Sequence, residues 1–259
     1  MPTALQSAFL LHHRAYRETS VIADFLTEHD GRVSVVCKGV RGSGNKAASL
    51  RSILQPFASL AISWSGRSEL KSLRSAEIGE PAPPLAQYQL YAALYLNELL
   101  MRLFRHGETP ASLFADYKDA IVELSQSAAD AGLTEVALRK FEFRLLATLG
   151  FEINFFHDAS SAESIQPDDQ YSFYAEIGFS RAAPDQVQQL LASDTLAIGH
   201  SATGKRLDGM AGKDILALQQ QDYSAASTRK AAKKISRTAL SMHLGDKPLK
   251  SRELYANPD

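Results

Sequence analysis

The sequence predicts an α+β multidomain protein, with a small β-domain in residues 1–80 followed by a mainly α-helical domain in residues 81–259. Short apolar runs separated by turn signals fill the first region, which is typical of a small all-β fold. In the second region, apolar residues recur at helical spacing. Residues 80–84, between the two, contain three prolines, and proline interrupts both strands and helices. We therefore place the domain boundary there.

Five strands are expected in the β-domain: Ser7–His12, Ser20–Leu26, Arg32–Lys38, Phe57–Trp64 and Glu69–Ser75. In the third strand, Val33, Val35 and Cys37 occupy alternate positions, as in a strand with one buried face. Five strands in about 80 residues suit a closed barrel of the OB-fold type, which binds nucleic acids across its second and third strands. The third predicted strand is also where a strongly basic segment begins.

The segment from Arg32 to Arg74 contains eight cations and one anion, Glu69, in a protein whose formal net charge is −1. Such a surface predicts a polyanionic partner, and nucleic acid is the first candidate. A basic face that only keeps the domain soluble is the alternative. Tyr16, Phe57 and Trp64 are candidates to stack on bases, and we expect Phe57 to belong to the core instead. The cations that we expect to bind DNA are Arg32, Lys38, Arg41, Lys46, Arg51, Arg67, Lys71 and Arg74.

A glycine-rich segment, residues 39–46, follows the third strand. It is not a Walker A motif, because Lys46 lies between Asn45 and Ala47, whereas that motif requires a glycine before the lysine and a hydroxyl after it. We therefore expect a mobile basic loop that contacts the phosphate backbone, without nucleotide hydrolysis.

Three long helices are expected after the boundary, and a glycine ends each: residues 85–105, 109–131 and 135–149. The third carries Arg139 and Lys140 beside Phe143. A cation at the edge of an apolar groove can hold the terminal carboxylate of a peptide. An ordinary amphipathic helix with solvated cations is the alternative. Further along, residues 151–182 are expected to form loops with a hairpin near residues 171–179, and short helices are expected near residues 184–192 and 209–219.

The last long helix is expected to begin at Ser224 and to place five cations on one face: Arg229, Lys230, Lys233, Lys234 and Arg237. Its apolar face contains Ala232, Ile235, Ala239 and Met242. Because these cations have no acid between them, the helix is the second candidate for DNA binding, with a solvated helix as the alternative. Residues 81–225 carry a net charge of −9, so a nucleic-acid surface would be assembled from the two basic ends of the chain.

No catalytic constellation is recognisable, and we expect neither an enzyme nor a bound metal or cofactor. The single cysteine, Cys37, excludes intrachain disulfides and cysteine-cluster zinc sites, and it suggests a reducing compartment. The seven histidines lack the spacings of zinc hydrolases. Neither a secretory signal nor a membrane span is recognisable, so we expect a cytoplasmic, nucleoid-associated protein that does not bind membranes.

The C-terminal segment of residues 245–254, GDKPLKSREL, resembles the end of the RecO proteins, bacterial mediators of DNA repair and recombination. Further strings similar to that family occur in the same order along nearly the whole chain: residues 17–20, 31–33, 38–39, 54–57, 66–74, 95–99 and 138–142.

The resemblance implies an N-terminal OB domain, a helical body and a non-enzymatic activity. Members of the family bind single- and double-stranded DNA, anneal strands coated by the single-strand-binding protein SSB, and act with RecR to help load RecA. Many carry a four-cysteine zinc module where this chain has the cysteine-free residues 151–182, so the chain resembles the zinc-free, enterobacterial-like branch. The resemblance also implies that the acidic tail of SSB binds the helical body, through Arg139, Lys140 and Phe143. An adaptor for acidic proteins and a nuclease are the alternatives.

Overall fold

The fold comes from a computed structural model, which describes residues 3–107, 110–127, 130–181, 183, 186–187 and 205–256. The chain forms two compact units. The first comprises residues 1–138 and 247–259, and the second comprises residues 139–246. The division into domains at residue 80 stays a prediction.

A closed five-stranded barrel opens the first unit, with the strand order β1-β2-β3-β5-β4. Every pairing is antiparallel except that of β3 with β5. The strands are β1 (Gln6–Tyr16), β2 (Ser20–Thr27), β3 (Gly31–Cys37), β4 (Ser59–Ser65) and β5 (Leu70–Glu80). The predicted α+β class, with an OB-fold-like barrel followed by helices, is confirmed.

The barrel core contains the inward side of each strand. Val33, Val35 and Cys37 are all buried there, as their alternation predicted. Phe57 is 4% exposed and Trp64 is 3% exposed, so both rings are enclosed by protein. Phe57 is therefore a buried residue as expected, and Trp64 is excluded as a base-stacking platform in this conformation.

A short helix, α1 (Asn45–Ile53), lies between β3 and β4 and was not predicted. The segment of residues 39–46 is therefore not a single loop, because its end forms the first turn of α1. Only Ala47 is fully buried in this helix. A nine-residue helix with so small a buried face has no clear apolar period in its sequence, which is why the pattern did not predict it.

Three helices follow the barrel: α2 (Gln87–Leu103), α3 (Ala111–Gln126) and α4 (Ala131–Thr148). The prediction that Gly132 ends a helix is wrong, since it lies in the first turn of α4. Asp130 begins that helix instead, because its Oδ1 accepts hydrogen bonds from the backbone N–H groups of Gly132 (2.7 Å) and Leu133 (3.3 Å). An acceptor at this position satisfies N–H groups that have no partner within the helix.

The barrel and its helices share a second apolar layer. Phe9 of β1 packs against Phe114 and Tyr117 of α3, with ring centroids 5.2 and 5.1 Å apart. The Asn97 amide of α2 donates to the Leu11 carbonyl (2.9 Å), and the Tyr117 hydroxyl donates to Asn97 Oδ1 (2.6 Å). These buried hydrogen bonds link β1, α2 and α3.

The C-terminal segment that resembles the end of the RecO proteins, residues 245–254, is hydrogen-bonded to α2. Glu98 accepts the backbone N–H groups of Lys250 (2.9 Å) and Ser251 (2.8 Å), and it also accepts the Ser251 hydroxyl (2.7 Å). Ser251 begins a helix of six residues, Ser251–Ala256. Glu98 therefore fixes the start of that helix on the first unit.

The second unit contains a three-stranded antiparallel sheet in the order β7-β6-β8: β6 (Gln170–Tyr174), β7 (Gly178–Ser180) and β8 (Arg206–Ala211). The hairpin near residues 171–179 is confirmed, whereas β8 was not predicted. Two helices follow, α5 (Gly212–Gln219) and α6 (Ala226–Leu244), and the helix of residues 251–256 is α7. The helix predicted near residues 184–192 lies outside the described residues, apart from 186–187.

Arg181 holds the segment before β6 together. Its guanidinium contacts Asp169 (2.6 Å), Glu163 (2.5 Å) and Asp158 (3.6 Å). In the described parts of the chain, no group of three or more His, Cys, Asp or Glu side chains is placed to hold a metal ion. The same residues contain no helix long and apolar enough to cross a membrane.

Candidate nucleic-acid interface

Most of the predicted barrel cations are exposed. Lys38 and Arg41 follow β3, and Arg67 lies in the turn between β4 and β5. The parallel pairing of β3 with β5 runs from Ser34 and Leu70 to Val36 and Ser72, and it includes Lys71 as the partner of Val35. The exposed members are Lys38, Arg41, Lys46, Arg51, Arg67 and Arg74, and Lys71 is half-buried.

The eighth cation, Arg32, is directed into the protein. Its Nη1 donates to the carbonyl oxygens of Met101 (2.9 Å) and Phe104 (2.8 Å) at the end of α2. Its Nη2 lies 3.3 Å from Asp24 Oδ1, and the Arg32 side chain is 13% exposed. A cation at the C-terminal end of a helix is favoured by the helix dipole and satisfies free carbonyl groups. Arg32 thus has a structural role, and its predicted contact with DNA stays untested.

Arg51 also has internal partners, although the residue is exposed. Its Nη1 donates to the carbonyl oxygens of Val40 (2.7 Å) and Gly42 (3.0 Å). Val40 itself is buried. These contacts fasten the glycine-rich segment to α1, so the segment is an anchored turn rather than the free loop expected from its glycines.

The turn between β1 and β2 adds cations that the sequence pattern did not indicate. β1 continues to Tyr16, four residues beyond the predicted end at His12, and exposes Arg14, while Arg17 is exposed in the turn that follows. The backbone N–H of Arg41 donates to the Thr19 carbonyl (2.8 Å), which joins this turn to the segment after β3. The sequence carried no period-two signal for this extension, because His12, His13 and Arg14 are consecutive polar residues.

Helix α6 separates its two faces as predicted. Ala232, Ile235 and Ala239 are buried, and Met242 is half-buried. Among the cations of the opposite stripe, Lys230, Lys234 and Arg237 are exposed, while Arg229 and Lys233 are partly exposed. Arg229 also donates to the carbonyl oxygens of Tyr223 (2.8 Å) and Ser224 (2.6 Å), so it helps to fix the start of the helix.

These two basic regions lie in different compact units. The barrel cations belong to the first unit, and the α6 stripe belongs to the second. Each region is exposed within its own unit, and a continuous DNA surface made from both stays a prediction.

The residues predicted to bind the SSB tail have a different environment. Arg139 is 2% exposed, and its Nη1 contacts Glu142 Oε2 (2.9 Å) and Ser236 Oγ (3.3 Å). Glu142 is fully buried, so a peptide carboxylate could reach Arg139 only by displacing this internal partner. Lys140 and Phe143 are half-buried, and the Phe143 ring lies edge-on to Phe155 at 5.4 Å. The predicted role of these three residues stays untested.

Comparison with known proteins agrees with the fold. The family model for the N-terminal part of recombination protein O matches residues 1–82, and the model for its C-terminal part matches residues 88–253. The DNA repair protein RecO of Yersinia pestis (strain Pestoides F) is 41% identical over 251 residues, which cover 96% of this chain and 93% of the relative. The Yersinia enterocolitica (serotype O:8) protein of the same name has the same identity and coverage. The chain therefore belongs to the RecO family of DNA repair proteins.

Proposed function

We propose that this protein is a non-enzymatic recombination mediator that binds single- and double-stranded DNA and anneals complementary strands. In the same proposal it engages SSB and acts with RecR to promote the loading of RecA. The observation that carries DNA binding is the set of exposed cations around one barrel, at the end of β3, on α1 and between β4 and β5. Membership of a family of DNA repair proteins supports a role in recombination repair.

The proposed mechanism of annealing is electrostatic. Two complementary strands repel each other through their phosphates, and cations that neutralise both lower that repulsion so that bases can pair. Phosphate contacts are independent of sequence, which suits a protein that must accept any pair of strands. The reaction requires no ATP, because pairing itself supplies the free energy.

Annealing of SSB-coated complementary oligonucleotides without ATP tests this proposal directly. We expect the wild type to anneal them, and the triple variant Lys38→Glu, Lys46→Glu, Arg67→Glu to lose most of that rate. A second variant, Lys230→Glu with Lys234→Glu, measures the contribution of α6. Lys213→Glu on α5 is the matched control, because Lys213 is exposed and isolated from other cations in the sequence. Equal rates for all variants would contradict the mechanism.

The salt dependence of DNA affinity provides a quantitative test. The affinity for single-stranded DNA should fall with salt with a log-log slope of about 0.7 for each phosphate contacted. The triple barrel variant should have a smaller slope than the wild type, as measured by fluorescence anisotropy from about 50 to about 200 mM salt. A slope near zero in the wild type would contradict an electrostatic interface.

Binding of the SSB tail forms a separate part of the proposal. Truncating the cationic partner of a buried carboxylate typically costs about 2 to 5 kcal/mol of binding. Arg139→Ala would also break the internal pair with Glu142, so the titration with the tail peptide includes Lys140→Ala, at a half-buried position, as a second variant. Unchanged affinity in both variants would remove these residues from the proposed tail site.

A protein adaptor is the alternative function. In that case the exposed cations would bind an acidic partner protein and not DNA. The adaptor is favoured if the purified protein binds the SSB tail but has no measurable affinity for any oligonucleotide.

A further inference from the structure

Among its Phe, Tyr and Trp side chains, the barrel has one ring that solvent can reach. Residues 3–80 contain five side chains of these three types, and the structure describes all of them. Four are buried: Phe9 (3% exposed), Phe25 (0%), Phe57 (4%) and Trp64 (3%). The fifth, Tyr16, is partly exposed at the last position of β1. Of the Phe, Tyr and Trp rings of the barrel, only Tyr16 is therefore open to a base in the described structure.

The strand pairing fixes the position of this ring. Tyr16 is the register partner of Ser20 in β2, at the closed end of the β1–β2 hairpin. Arg17 begins the turn in the left-handed backbone region, with φ 53°. Few non-glycine residues adopt that conformation, so contacts with neighbouring residues must hold the backbone of this turn in place. Its carbonyl oxygen accepts a hydrogen bond from Arg41 Nη1 (3.3 Å), which ties the turn to the segment after β3.

Cations surround the ring on its own hairpin. The Arg17 guanidinium carbon lies 5.1 Å from the centroid of the Tyr16 ring, within the range of a cation–π contact. Arg14 is exposed two residues earlier, and side chains two residues apart in a strand lie on the same face. One anion, Glu18, lies in the same turn and is also exposed. An unpaired nucleotide at Tyr16 would therefore find both a π-face for its base and cations for its phosphates.

We propose that Tyr16 is the base-stacking platform of the barrel. Stacking on this ring makes the protein bind a strand with unpaired bases more tightly than a strand that offers the same phosphates without bases. This inference rests on the proposed binding of DNA. Stacking is independent of sequence because every base has a π-face. Bases inside a duplex are already stacked on each other, so Tyr16 contributes to binding of single strands and not of duplex.

Abasic DNA separates stacking from charge. Wild type and Tyr16→Leu are titrated with three fluorescent probes: an oligothymidylate, an abasic oligomer with the same number of phosphates, and a duplex. The wild type should bind the thymine oligomer more tightly than the abasic one. Loss of a stacking ring should weaken thymine binding by about 5- to 150-fold, and affinities for the abasic oligomer and the duplex should be unchanged.

Two control variants complete the experiment. Tyr16→Phe keeps the ring and should bind all three probes as the wild type does. Tyr88→Leu removes an exposed tyrosine of α2, 46% exposed and outside the barrel, and should also have no effect. Together they separate loss of this ring from loss of a hydroxyl or of any surface tyrosine.

Each contrary outcome has a distinct meaning. If Tyr16→Leu keeps the preference for thymine over abasic DNA, the inference is wrong and DNA binding by the cations stands. If Tyr16→Leu weakens the duplex and the abasic oligomer equally with thymine, Tyr16 only supports the hairpin and the inference is again wrong. If the wild type binds none of the probes, the proposed function itself fails.

Discussion

The exposed cations of the barrel and two arginines of the second unit, Arg139 and Arg181, differ in what faces them. Around the barrel, Lys38, Lys46 and Arg67 are exposed, and the segment that carries them has only one acidic residue. In the second unit, Arg139 is buried against Glu142, and Arg181 is surrounded by three carboxylates. The charge is the same, but only the first group is available to a polyanion. A count of cations therefore overestimates a binding surface unless each cation is checked for an internal partner.

Arg32 shows the same distinction within one segment. It belongs to the basic stretch by sequence, but its guanidinium binds α2 carbonyls and Asp24. Its position on β3 places it beside α2, while Lys38 lies just beyond the strand end. Two cations six positions apart thus have different functions, one holding the fold together and one open to solvent.

Breaking the buried ion pair between Arg139 and Glu142 should cause the largest loss of folding stability. Glu142→Gln leaves the Arg139 charge buried without its anion, and removing one partner of a buried ion pair costs about 3 to 5 kcal/mol of stability. Urea denaturation followed by circular dichroism measures this loss.

A double variant checks the cause of that loss. Arg139→Met with Glu142→Leu removes both charges, and such replacements are often neutral or stabilising. It should recover most of the stability lost in Glu142→Gln. If the double variant is as unstable as the single one, the packing of the side chains and not their charge is responsible, and the contrast with the barrel cations is weakened.

A smaller difference in folding stability should distinguish substitution of Arg32 from substitution of Lys38. Arg32→Met removes charge-assisted hydrogen bonds to Met101 and Phe104, so we expect a stability loss of about 1.5 to 3 kcal/mol. Lys38→Met should change stability by less than about 0.5 kcal/mol, as is usual for surface positions. In DNA titrations the order should reverse, because only Lys38→Met removes an exposed charge. A stability loss in Lys38→Met equal to that in Arg32→Met would contradict the assignment.

The sequence predicted those features that depend on the local spacing of apolar residues and on turn residues between them. The third strand repeats at two residues and the apolar face of α6 at about 3.6, while the other strands and the hairpin near residues 171–179 are apolar runs bounded by turn residues. It missed α1 because that helix buries little of its surface. It also missed β8, which pairs with β6 across more than thirty residues, a contact that no local pattern encodes. The burial of Arg139 depended equally on a distant element, since Ser236 lies on another helix.

The carboxylates around Arg181 should give the smallest effect, visible as a pH dependence. Burial alone would raise the pKa of Asp158, but hydrogen bonds from the Ser160 side chain and from the backbone N–H groups of Arg181 and Ser160 hold that pKa below its usual range. A carboxyl whose pKa is lower in the folded state stabilises the fold above its unfolded pKa of about 3.9, and this contribution disappears as the pH falls through the folded pKa.

The wild type should therefore lose stability on acidification below about pH 4, and Asp158→Asn should lose less over the same range. Thermal unfolding at a series of acidic pH values measures the difference, with Asp246→Asn as an exposed control. Identical acid profiles for wild type and Asp158→Asn would mean that Asp158 does not stabilise the segment around Arg181. In that case Asp169 and Glu163 would be the carboxylates through which Arg181 stabilises the segment.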